Sequence, residues 1–261
     1  MFKNLLRVLI AVVITATTYS AASATDRVAL VIGNSRYLHL PRLAVPVNDA
    51  IDMTATLQAL GFEVVSGIDL TKSEMDTRIG EFHEKAAEAK LALLFYDGHG
   101  LQVDDTNFFL PIDSELKSRT AIDFEAISAD SVMRDMSSPT RPGIVLIDAS
   151  RANKFASALQ KCTRCLFAGR GLAAPNVGDN MLIVFATSPE QETRDGSGRN
   201  SAFTAALLKH LPESGAELRT VMRKVKAEVR ESTQDSQDPW YVDSILPDVY
   251  LNAVGGIAPP P

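Results

Sequence analysis

Five apolar runs punctuate the chain, at residues 27–33, 62–67, 91–96, 143–147 and 181–186. Most are continuous rather than alternating, which is the pattern of strands covered by helices on both faces of a parallel sheet. A shorter run at 107–111 predicts an edge strand or hairpin. Between the runs the period changes to that of a helix. Residues 48–60 open on Asn48 and Asp49 as cap candidates and close at Gly61, and 72–89 sets Met75, Ile79, Phe82, Ala86 and Ala89 on one stripe. Residues 201–211 and 216–230 repeat the pattern, the latter through Leu218, Val221, Met222, Val225 and Val229. Strands alternating with helices predict βαβ units and a doubly wound α/β fold with a mainly parallel central sheet. Residues 152–180 break the alternation with Gly169, Gly171, Pro175 and Gly178, as a linker between two subregions would. Residues 253–261 read as a frayed tail.

The start of the chain stands apart from this alternation. Lys3 and Arg7 precede an apolar run over 8–16, and Ala22-Ser23-Ala24 is a small-x-small cleavage signal. That is the layout of a secretory signal peptide over 1–24. The run is shorter than the ~20 residues a spanning helix needs. The expectation is an exported protein, periplasmic or secreted, with no stable membrane anchor after signal cleavage. Hydrophobic residues make up 46% of the chain, ample for a large core. Net charge is −6 with no basic stripe, so a nucleic-acid partner is not expected. The 2 cysteines, Cys162 and Cys165, form one C-x-x-C. In an oxidising compartment they read as a local disulfide or spare thiols, because a lone pair without a second pair or a nearby histidine makes a poor zinc site. No cofactor or metal is called for: His39, His83 and His210 lack ligand partners at useful spacing, and no D-x-D-x-D-G calcium loop is present.

In open parallel sheets, sites form beyond the carboxyl ends of the strands. The first run is followed by Gly33-Asn34-Ser35, the third by Asp97-Gly98-His99-Gly100, and the fourth by Asp148-Ala149-Ser150-Arg151. A histidine between two glycines, straight after a buried strand, has the exposed ring nitrogens and open surroundings of a general acid or base, although the same motif also serves as a plain turn. Ser150 ends the neighbouring motif beside a carboxylate. Were the two strands adjacent, His99 and Ser150 would face each other as base and nucleophile. The alternative is an ordinary strand-to-helix cap.

These motifs, with residues 27–34, Pro46-Val47-Asn48-Asp49-Ala50, Phe185-Ala186-Thr187-Ser188 and Asn200-Ser201-Ala202-Phe203-Thr204, together resemble the bacterial caspase-like proteins, relatives of caspases and metacaspases often called orthocaspases. The match runs through nearly all of the chain beyond residue 24, in the family's order. It implies a caspase-haemoglobinase-like α/β/α sandwich, with a p20-like region over 25–160, a linker over 161–180 and a p10-like region over 181–252. The implied activity is peptide-bond cleavage by a Cys-His dyad. His99 matches the family histidine. Gly100 and the nucleophile position, Ser150, match the oxyanion donors. Asp49 and Asp148 match acids that line the S1 pocket of relatives cutting after arginine or lysine, and Asp97 adds a third acid where the family more often has a small residue. Three carboxylates in one pocket repel one another unless a cation sits among them. The implied partner is a peptide or protein with Arg or Lys at the bound position.

The decisive departure from the family is one atom. The strand-end motif of the family is Asp-Ala-Cys-Arg, and Ser150 stands in place of the cysteine. A free thiol, with a pKa near 8.5, is already partly thiolate at neutral pH, whereas a hydroxyl needs an oriented base to lose its proton. The exchange implies a pocket that binds and does not cut, a pseudoprotease. The alternative is an endopeptidase cutting after Arg or Lys, with Ser150 acting as nucleophile or standing in for a natural cysteine that was replaced.

Overall fold

The computed structural model describes residues 26–103, 106–134, 136, 138–149, 179–188 and 198–253. Ser150, Cys162, Cys165, the leader over 1–24 and all but the last residues of the linker lie outside them.

Within the described residues the predicted alternation is present. Strands β1 (Arg27–Gly33), β2 (Glu63–Ile68), β3 (Leu91–Asp97), β7 (Gly143–Asp148) and β8 (Met181–Phe185) are parallel, and β9 (Trp240–Asp243) closes one edge antiparallel to β8. The order in this six-stranded sheet is β2-β1-β3-β7-β8-β9. The winding of the chain therefore changes side between β1 and β3, the switch point beyond whose carboxyl ends open parallel sheets place their sites. Trp240 and Tyr241 both lie in β9, where Trp240 packs its ring on Phe185 at 5.7 Å between centroids.

The helices fall on two faces, as continuous apolar strands require. Helices α1 (Pro46–Ala59), α5 (Ala202–His210) and α6 (Leu218–Ser232) cover one face, contributing Met53, Leu57, Phe203, Leu207, Val221 and Val225 to the core. Helices α2 (Lys72–Glu88) and α4 (Ala129–Arg134) cover the other through Met75, Phe82, Ala86 and Val132. A second sheet of three strands, β4 (Gly100–Val103), β5 (Thr106–Phe109) and β6 (Ile127–Ser128), is antiparallel, so the run at 107–111 does belong to a hairpin. With α3 (Arg119–Glu125) it shelters a small core of Tyr37, Leu40, Leu101, Phe108, Leu110 and Ile122. That core anchors residues 34–43 beside the end of β3.

Helix α1 starts two residues before the predicted cap. Pro46 occupies the first turn, where its missing N–H costs nothing, and no side chain caps the helix. Asn48 and Asp49 are thus inside the helix, free to serve the site. Helix α2 has a full capping box: the Thr71 N–H donates to Glu74 Oε2 at 2.9 Å, and the Glu74 N–H donates to Thr71 Oγ1 at 3.4 Å. Thr71→Ala is expected to lower the unfolding free energy by about 1 kcal/mol, read as a lower urea midpoint at unchanged slope. An unchanged midpoint would show the box to be idle.

Candidate active site at the strand ends

Three strands bring their last residues into register. Gly33 of β1 lies opposite Asp97 of β3, and Asp97 lies opposite Asp148 of β7. The backbone is stitched across this row: the Asn34 N–H donates to the Asp97 carbonyl at 2.9 Å, and the Gly98 N–H to the Asp148 carbonyl at 3.3 Å. Asp49 reaches the same place from the first turn of α1. All three carboxylates are 0% exposed. One oxygen from each lies within 4.8 Å of the others, and among the described residues this is the one such group. Burying three carboxylates together is costly unless donors or cations compensate. The spacing suits a single cationic group held between them, whether a guanidinium, an ammonium or a metal ion.

His99 follows Asp97 by one glycine. Gly98 has no room for a side chain: a Cβ there would sit 2.6 Å from the Tyr37 hydroxyl and 2.7 Å from that of Tyr96. Those hydroxyls fix the turn. The His99 N–H donates to Tyr37 Oη at 2.7 Å, and Tyr96 Oη donates to the His99 carbonyl at 2.8 Å. Burial pushes the Tyr96 phenol well above its ordinary pKa, which keeps it protonated as a donor. The imidazole packs at 4.5 Å on the Tyr37 ring, and its Nε2 lies 2.9 Å from the Pro41 carbonyl oxygen. A carbonyl only accepts, so this bond places the proton on Nε2 and leaves Nδ1 as the basic nitrogen.

The sequence reading pictured a histidine with exposed ring nitrogens, and this is corrected. His99 is only 9% exposed, because residues 34–43 fold over it. The ring is held by a backbone carbonyl in the place where a triad would use a carboxylate. Gly100, the candidate oxyanion donor, begins β4 and is partly exposed. Asp97, His99, Gly100 and Asp148 thus share one strand-end cluster, which Asp49 joins from α1.

The residues that hold this cluster were given no role by the sequence, although Asn200 and Ser188 lie in motifs that carry the resemblance. Pro41 acts through its carbonyl, which leaves no mark in a side-chain pattern. Asn200 donates through Nδ2 to Asp49 Oδ1 and to Asp52 Oδ2, both at 2.9 Å. Arg199 forks onto Asp52 with bonds of 2.8 and 2.9 Å, holding that carboxyl below the usual range. Asp52 lies one helical turn after Asp49, the only sequence hint of the pair. Beyond β8, Gln237 Nε2 donates to the Ala186 carbonyl at 2.8 Å, and Ser188 Oγ to the Asp238 carbonyl at 3.0 Å. The Gln237-Asp238-Pro239 stretch therefore ties off the strand that follows the site.

A six-stranded, mainly parallel sheet with a histidine and acids at its carboxyl edge defines a caspase-like α/β protein. The Caspase domain model of the C14 peptidases matches residues 26–250, and the chain belongs to that family. It is 40% identical to mucosa-associated lymphoid tissue lymphoma translocation protein 1 of Homo sapiens over 91 residues, 35% of this chain and 11% of that protein. It is 25% identical to caspase-1 of Mus musculus over 219 residues, covering 77% of this chain and 52% of the relative. The chain thus spans about a tenth of the first relative and about half of the second. In architecture it is similar to the crystal structure of caspase-1 from Spodoptera frugiperda, with a TM-score of 0.65 and 17% identity over 90% of this chain and 93% of the other.

Proposed function

We propose that this chain is an exported caspase-like protein that binds peptides through an arginine or lysine side chain and does not cleave them. The observation that carries the reading is the convergence of Asp49, Asp97 and Asp148, all buried, at the strand ends. A cationic side chain entering among them would form charge-assisted hydrogen bonds to their oxygens. In this reading His99 and Ser150 occupy the base and nucleophile positions, Gly100 and Ser150 the oxyanion donors, and the three aspartates the S1 pocket. The division into a p20-like part over 25–160 and a p10-like part over 181–252 belongs to the same proposal. So do the cleaved leader and a place among the bacterial caspase-like proteins.

Impairment follows from chemistry at Ser150. A hydroxyl is a poor nucleophile without strong general-base help, whereas thiolate chemistry asks less of the base. A second reading, in which Ser150 itself acts as nucleophile, draws on one feature: the Pro41 carbonyl gives His99 a fixed tautomer. A carbonyl stabilises the imidazolium less than a carboxylate would, so the first reading is preferred.

Calorimetry with an arginine peptide and its citrulline counterpart tests the pocket. The full chain is expected to prefer arginine, and Asp148→Asn to lose that preference by about tenfold or more. Equal binding of the two peptides by the unmodified chain would sink the acidic-pocket reading.

A further inference from the structure

Asp49 and Asp52 project from adjacent turns of α1 toward the same short segment, residues 199–201, and the two are treated differently there. Asp52 meets a full positive charge, because Arg199 Nε and Nη2 engage both of its oxygens. Among the described residues, the groups that hydrogen-bond Asp49 are neutral donors. Its Oδ1 accepts from Asn200 Nδ2 at 2.9 Å, and the Ser201 N–H lies 3.3 and 3.2 Å from its two oxygens. Asn200 spans both acids, since the same Nδ2 also donates to Asp52 Oδ2 at 2.9 Å.

We infer that Asn200 is a positioning residue of the pocket: it fixes the Asp49 carboxylate toward Asp97 and Asp148 without neutralising it, and so sets the site's affinity for a cationic side chain. The inference rests on the reading of the three aspartates as a pocket for arginine or lysine. An amide at this position gives orientation without charge. A lysine here would add a cation beside Asp49, and an apolar residue would leave Asp49 the Ser201 N–H as its remaining donor among the described residues. Arg199 directs its hydrogen bonds to Asp52, whereas Asn200 and the Ser201 N–H are the donors bonded to Asp49 among the described residues. The arrangement also places Asp49 under the control of the segment that caps α5, because Ser201 is the N-cap of that helix and its Oγ accepts from the Thr204 N–H at 3.0 Å.

The test uses the full chain, an arginine peptide and the citrulline counterpart, with Kd measured for each. Asn200→Leu, near-isosteric and without a donor, is expected to weaken arginine binding about tenfold while changing citrulline binding by less than about twofold. Asn200→Lys is expected to abolish the preference for arginine altogether. Should Asn200→Leu fail to fold, Asn200→Ser, too short to span the two acids, is read in the same way. An unchanged arginine-to-citrulline ratio in these variants would overturn the positioning role and leave the pocket reading standing. Equal weakening for both peptides would also overturn it, because a purely structural residue acts without regard to charge. If the unmodified chain shows no preference for arginine, the pocket reading itself falls, and this inference with it.

Discussion

Gly33→Ala is expected to lower the unfolding free energy by roughly 3 kcal/mol and to weaken arginine-peptide binding with it. Gly33 ends β1 directly beneath the first turn of α1. A Cβ at this position would overlap the Pro46 carbonyl oxygen and lie 2.6 Å from Ala50 Cβ. Neither atom belongs to a flexible side chain, so only a shift of the helix relieves the overlap. That helix carries Asp49, and Gly33 lies opposite Asp97 in the sheet. One methyl group therefore strains the packing and displaces one acid of the pocket. Urea unfolding and calorimetry on the same preparation read the two effects. An unchanged midpoint would contradict the close seating of α1 on β1.

The sheet was legible because its strands are buried on both faces and so stand out as uninterrupted apolar runs. Run 27–33 coincides with β1, and the others differ by a residue or so at their ends. What escaped notice was short. Helices α3 and α4 have 7 and 6 residues, too few for a helical period to declare itself. Strand β9 has 4 residues at a sheet edge and no clean alternation, and only its pairing with β8 identifies it. Asp97, Asp148 and His99 could be read from their place after apolar runs, because strand ends in an open parallel sheet face one crevice, whereas Asp49, in the first turn of α1, was named only through the family resemblance. Their supports could not be read so. The bond from His99 to the Pro41 carbonyl spans 58 residues, and that from Asn200 to Asp49 spans 151. Contacts of that range are made by the fold and have no local signature.

The largest functional effect is expected at Ser150. Ser150→Cys should raise turnover of an arginine peptide by roughly 10³-fold or more over the unmodified chain, a size typical of supplying a missing catalytic group. The rest of what the chemistry asks for lies at the ends of β3 and β7. Asp148 and Ala149 precede it, both buried, and His99 has Nε2 engaged by Pro41 so that Nδ1 is the nitrogen able to take a proton. A thiol loses its proton far more readily than a hydroxyl, so this histidine, oriented by a carbonyl, suffices for cysteine and falls short for serine. Peptide binding should change little, since in the proposed reading the three aspartates, rather than residue 150, hold the cation. A cysteine variant that binds as before and now turns over would separate recognition from chemistry.

The most direct measurement is hydrolysis of a fluorogenic peptide with arginine before the scissile bond, by the unmodified chain, His99→Ala, Ser150→Cys, and Ser150→Cys combined with His99→Ala. The account predicts cleavage by Ser150→Cys alone, with the double variant and the unmodified chain inactive. Cleavage by the unmodified chain, lost in His99→Ala, would contradict it and establish Ser150 as a working nucleophile.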